Sequence, residues 1–69
     1  MVKIKGDFIT LGQLLKKEGF IDSGSDAKWF LGENKIMVND TSEERRGRKL
    51  YVGDVITINK KKIVLENEN

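Results

Sequence analysis

Residues 23–39 read SGSDAKWFLGENKIMVN, and in this stretch an amphipathic helix runs through a tight exit into a short apolar strand. The Ser23 hydroxyl can accept a backbone N–H from the first turn. Asp26, three residues on, completes a capping-box-like spacing and puts an acid at the positive helix end. Ala27, Phe30 and Leu31 recur at i, i+3 and i+4 and form one apolar stripe, while Asp26, Lys28 and Glu33 fall outside it. Asn34 tolerates the left-handed conformation that ends helices, so the spacing predicts a helix over 23–33. Lys35-Ile36-Met37-Val38 then reads as a strand closed by the turn pair Asn39-Asp40.

The residues on the N-terminal side build a second, shorter helix. Thr10-Leu11-Gly12-Gln13 has the T-x-x-Q capping-box spacing, with Ile9 and Leu14 placed as a hydrophobic staple. Leu11, Leu14 and Leu15 share a face, and Gly19 supplies a left-handed stop, which predicts a helix over 10–18. Phe20 and Ile21 can fold back onto the core, and Val2-Lys3-Ile4 alternates as a short half-buried strand.

On the C-terminal side, residues 41–44 read as a polar loop. Leu50-Tyr51-Val52 follows, then the turn Gly53-Asp54 and the β-branched run Val55-Ile56-Thr57-Ile58. Asn59 to Lys62 reads as a turn, Ile63-Val64-Leu65 can pair back as a hairpin, and residues 66–69 read as a frayed tail. The order of elements predicts an α+β fold: two short packed helices on a small antiparallel sheet, in one domain over 1–69. The candidate core is Leu11, Leu14, Leu15, Ala27, Phe30, Leu31, Ile36, Val38, Val52 and Ile56.

Composition removes most enzyme chemistry. A chain of 69 residues has a small core, one that rarely nets more than about 3–5 kcal/mol. With 0 Cys and 0 His there is no thiol nucleophile, imidazole base or zinc site of the usual ligands. Glu43-Glu44 reads as a solvated pair, and Asp40 with these two lacks the spacing of a calcium loop. Asp54 reads as a turn residue, and Ser23 and Ser25 have no activating base. No catalytic residue, metal site or cofactor is therefore expected, and the chain reads as a non-enzyme. It has no secretory leader pattern and no apolar run near the ~18 residues of a membrane span, so a cytoplasmic location is expected.

Net charge is +2, but its distribution is uneven. Between residues 45 and 62 lie seven basic residues, Arg45, Arg46, Arg48, Lys49, Lys60, Lys61 and Lys62, against one acid, Asp54. Such a strip suits a polyanion, although a solvated loop and a charged hairpin tip would read the same way.

The ordered run Leu11, Leu15, Gly19, Ser23, Ala27, Phe30-Leu31, Asn34, Val38-Asn39 and Gly53-Asp54-Val55-Ile56 resembles the RNA-binding domain named after small-subunit ribosomal protein S-four, also called the alpha-L motif. The likeness covers about residues 9–58. It is strongest to the small stand-alone YaaA-type members of Gram-positive bacteria, which share I-T-L-G-Q, A-K-W-F-L and R-R-G-R-K-L with this chain. The resemblance implies structured RNA as partner, ribosomal RNA or a ribosomal subunit above all, read by the two helices and the adjoining loop. This chain departs from the family at Thr10 and Gly12, where many members place Arg and Asp, and at Gly24, where they place Arg. Residue by residue, Lys28, Arg45, Arg46, Arg48 and Lys49 offer the replacement phosphate contacts, on one face, with Lys60 to Lys62 mattering less. Gly47 reads first as a turn glycine and second as a point of close ligand approach.

Trp29 points to the far side of its helix from the apolar stripe. Because a large ring is seldom left bare, the N-terminal strand or a chain end is expected to cover it; the functional alternative is a base-stacking platform beside Lys28. Tyr51 reads as a strand residue before a stacking residue. The competing function is a small protein-interaction module with no nucleic-acid role, using the Trp29 face or an open strand edge.

Overall fold

The computed structural model describes residues 2–68. Its order is β1 (Val2–Ile4), β2 (Phe8–Thr10), α1 (Leu11–Lys17), α2 (Gly24–Glu33), β3 (Ile36–Val38), β4 (Thr41–Ser42), β5 (Lys49–Tyr51), β6 (Val55–Ile58) and β7 (Lys61–Asn67). Five strands form one sheet in the order β1-β7-β6-β3-β4, and β2 pairs with β5 as a separate ribbon. The fold is α+β as expected, but the main sheet is mixed, because β1 runs parallel to β7.

Local chemistry sets the helix ends. Thr10 and Gln13 make the full reciprocal capping box, with Thr10 N donating to Gln13 Oε1 at 2.9 Å and Gln13 N to Thr10 Oγ1 at 3.2 Å. Gly19 takes φ +80°, the left-handed stop that α1 needs. At α2 the expected caps are corrected. The Ser23 hydroxyl makes no cap hydrogen bond and instead pairs with Ser25 Oγ at 2.9 Å. Asn34 is extended, with φ −129°, rather than left-handed. Its side chain ends the helix by another route, Nδ2 donating to the Phe30 carbonyl at 3.0 Å, so no positive φ is required.

Asn39 and Asp40, at φ 50° and 68°, make the two-residue turn between β3 and β4. Asn39 also fastens the Gly53-Asp54 turn: its Oδ1 accepts from Val55 N and its Nδ2 donates to Asp54 Oδ1, while Asp54 Oδ2 accepts from Tyr51 N. Asp54 is thus a turn clasp, in line with its sequence reading.

The core joins both helices to the sheet through Leu11, Leu14, Leu15, Ala27, Phe30 and Leu31, which meet Ile36, Val38, Ile56, Ile58, Ile63 and Leu65. Phe20 folds back as expected, its ring centroid 5.6 Å from that of Phe30. Val52 is corrected: it is 48% exposed, and Leu50 takes the buried place. By the period of two Val52 would share the inward face of Leu50, but β5 ends at Tyr51 and Val52 has already entered the turn. The expected fraying at 66–69 is also corrected for residues 66 to 68. Glu66 and Asn67 pair with Lys3 and Ile4, and Glu68 N donates to the Ile4 carbonyl at 3.0 Å; Asn69 lies outside the described residues. No helix among the described residues is long and apolar enough to cross a membrane.

Candidate nucleic-acid interface

The basic loop is built on a buried acid. Glu43, read from the sequence as half of a solvated pair, is 6% exposed, and its backbone N–H is tied to the Ile36 carbonyl at 2.9 Å. Its Oε2 accepts from Glu44 N, Arg45 N and Arg45 Nε, each at 3.1 Å. Its Oε1 accepts from Arg45 Nη2 at 3.2 Å and Arg48 Nη1 at 2.8 Å. A buried carboxylate without such donors would be costly; with them it becomes the post around which the loop winds. The Arg45 side-chain hydrogen bonds, joined by those of the Arg45 backbone and Arg48 and opposed by burial, lower the Glu43 pKa from 4.5 to about 2. Glu44 remains exposed, so only that half of the pair matches the solvated reading.

The loop is also docked on α1. Leu11 N donates to the Arg48 carbonyl at 2.9 Å and Gly12 N to the Arg46 carbonyl at 2.8 Å, filling two of the free N–H groups of the helix start. A Cβ on Gly12 would stand 3.3 Å from the Arg46 oxygen, a tight approach that explains the small residue at this point. Arg46 reaches across to α2, its Nη1 donating to the Gly24 carbonyl at 3.1 Å.

The five residues singled out from the sequence are divided between two clefts that share Arg45 and Gly47. Lys28, Arg45, Arg46 and Gly47 line a shallow cleft of about 320 Å³ between α2 and the loop. Arg45 and Gly47 continue into a second cleft, with Arg48, Lys49, Tyr51 and Asp54. The Arg45 side chain is 77% exposed although Glu43 holds its inner edge, so its outer edge faces solvent. None of Lys60, Lys61 and Lys62 lines either cleft, and Lys61 Nζ lies 5.8 Å from the Phe20 ring centroid. Gly47 sits in the turn closed by Arg48 N on the Arg45 carbonyl, without a positive φ.

The S4 domain family matches residues 2–66 of this chain. The chain belongs to the S4 domain family. It is similar to the probable ribosome maturation protein RlbA of Bacillus subtilis (strain 168), 56% identical over 57 residues that cover 83% of this chain and 80% of that protein.

In this S4 domain Trp29 differs from its sequence reading, while Tyr51 keeps its reading and gains a neighbour. Trp29 is not covered: it is 69% exposed on α2, and β1 is engaged with β7 instead. Tyr51 is a strand residue, but it is 44% exposed and carries a ring neighbour, Phe8, that the sequence reading did not pair with it. The available signal was the β-prone triplet Phe8-Ile9-Thr10 directly before the helix cap. Glu43 was the other omission, and its signal was an acid placed two residues before Arg45 and five before Arg48.

Proposed function

We propose that this protein binds structured RNA, ribosomal RNA or a ribosomal subunit, through the face formed by Lys28, Arg45, Arg46, Arg48 and Lys49, and that it works in ribosome maturation by binding and not by catalysis. The observation that carries this reading is the loop built on Glu43 and docked on α1, which holds guanidinium groups toward solvent beside Lys28. A preorganised cationic loop loses little side-chain entropy on meeting phosphates, and each phosphate neutralised releases counterions. Family membership and likeness to a protein described as a probable ribosome maturation protein support the same reading and fit a cytoplasmic location. Crosslinking the protein to RNA in cells and sequencing the recovered fragments tests it. Ribosomal RNA fragments clustered at a few folded sites are expected, and recovery no better than that of an Arg46→Gln, Lys28→Gln variant would count against it.

A second reading rests on Trp29, whose exposed ring shares a helix face with Asp26 and Glu33 at i−3 and i+4. That face suits a protein partner better than a phosphate backbone. Salt-insensitive capture of one partner protein, abolished by Trp29→Ala and untouched by the basic substitutions, would give this reading the lead.

A further inference from the structure

The ribbon β2–β5 carries exposed aromatic surface beside the arginine loop. Leu50 points inward and is fully buried, so Lys49 and Tyr51 point outward by the period of two. Phe8 stands directly opposite Tyr51 in the register, with ring centroids 6.0 Å apart and planes at 65°. Lys49 Nζ sits 4.9 Å from the Phe8 centroid, giving one side of that ring to an ammonium group. Phe8 is 42% exposed and Tyr51 44%, a large apolar area for so small a ribbon. Tyr51 forms a wall of a cleft of about 660 Å³ whose other walls include Arg45, Arg48 and Lys49. The acid in that wall, Asp54, is already engaged, Oδ1 by Asn39 and Oδ2 by Tyr51 N.

We infer that this cleft is a subsite for one unpaired nucleotide of the RNA, its base stacking on Tyr51 and its phosphate held by Arg45 and Arg48. The inference rests on the RNA-binding reading and adds to it a preference for RNA with a bulged or looped-out base. Bases inside a paired helix have both faces occupied by their neighbours, so an exposed ring can stack only on a base that has left the helix. Stacking of that kind tolerates any base, and the flanking guanidinium groups add charge for its phosphate. A purely structural role for Phe8 and Tyr51 as a cross-strand pair would give stability to the ribbon but no preference between RNAs.

The test uses two RNAs, a two-stranded stem with a bulge of unpaired nucleotides in one strand and the same stem with the bulge deleted, neither closed by a loop, binding to wild type, Tyr51→Phe and Tyr51→Thr. Threonine keeps the strand propensity and removes the ring. Wild type and Tyr51→Phe are expected to favour the bulged RNA, and Tyr51→Thr to bind it about tenfold more weakly, within the range of one stacked base. Affinity for the bulge-free stem and the salt slope should stay unchanged. Equal weakening on both RNAs, or none on the bulged one, would overturn the subsite while leaving the RNA-binding reading intact. Failure of wild type to bind either RNA would overturn both. Should Tyr51→Thr not fold, photocrosslinking wild type to thiouridine in the bulge decides: adducts on Tyr51 or Phe8 are expected, and adducts confined elsewhere would refute the subsite.

Discussion

Phe30→Ala is expected to cost about 3–5 kcal/mol, the usual penalty for emptying a buried aromatic site. Phe30 lies in the apolar stripe of α2 with Ala27 and Leu31, and its ring packs against Phe20, which the chain brings back after α1. Removing the ring would leave Phe20 without its partner and open a cavity between the two helices and the sheet. A core of this size rarely supplies more than about 3–5 kcal/mol, so the variant is expected to be largely unfolded without denaturant. Circular dichroism melts check this. A cooperative melt little changed from wild type would mean that Phe30 does not anchor the core.

Glu43→Gln is the second large effect, and it separates the buried acid from ordinary surface charge. Glutamine has nearly the same shape but turns one acceptor into an N–H₂ group facing guanidinium donors, which removes hydrogen bonds worth about 1.5–3 kcal/mol to a charged partner. The pH dependence carries the sign. The Glu43 carboxyl titrates near 4.5 unfolded and at about 2 folded, so its stabilisation is whole above about pH 4.5 and is lost as pH falls through about 2. The shift corresponds to a ceiling of about 3 kcal/mol, which solvent screening of the exposed Arg45 reduces toward about 2 kcal/mol. Urea melts from pH 6 to pH 2 are therefore expected to show wild type converging on Glu43→Gln as the acid limb is descended. A constant gap across that range would mean that Glu43 is not held by its charge.

The parts of this fold that were legible from sequence are those decided by neighbours in the chain. The Thr10–Gln13 capping box, the Gly19 stop, the stripe Ala27-Phe30-Leu31 and the Asn39-Asp40 turn each depend on residues within about a turn of one another. Ser23 and Asn34 show the limit of that rule. Both lie at the ends of α2, but the Ser23 hydroxyl found a competitor in Ser25, and Asn34 stays extended while its backbone N–H and its side-chain amide both donate to the Phe30 carbonyl. Local signals mark a strand but not its distant partner: the triplet Phe8-Ile9-Thr10 is β-prone, yet nothing near it names β5, just as nothing near β1 names β7. Of the candidate site, the cationic residues were legible as a cluster. Burial of Glu43 was not, since Glu43 and Glu44 are alike in sequence and only the fold turns one of them inward.

The most direct measurement is RNA affinity against salt concentration for wild type, for Lys28→Gln with Arg46→Gln, and for Lys60→Gln with Lys61→Gln and Lys62→Gln. Lys28 and Arg46 line the cleft, and neither bonds to Glu43, so changing them leaves the carboxylate post intact, which changing Arg45 would not. Thermal melts of all three proteins identify any variant weakened by unfolding. The cleft pair is expected to bind different structured RNAs uniformly more weakly, with the salt slope lower by about one for each phosphate left without its cation, while the hairpin triple stays near wild type. Weaker binding by the hairpin triple than by the cleft pair would contradict the assigned face, and unchanged affinity in both would contradict RNA binding through these charges.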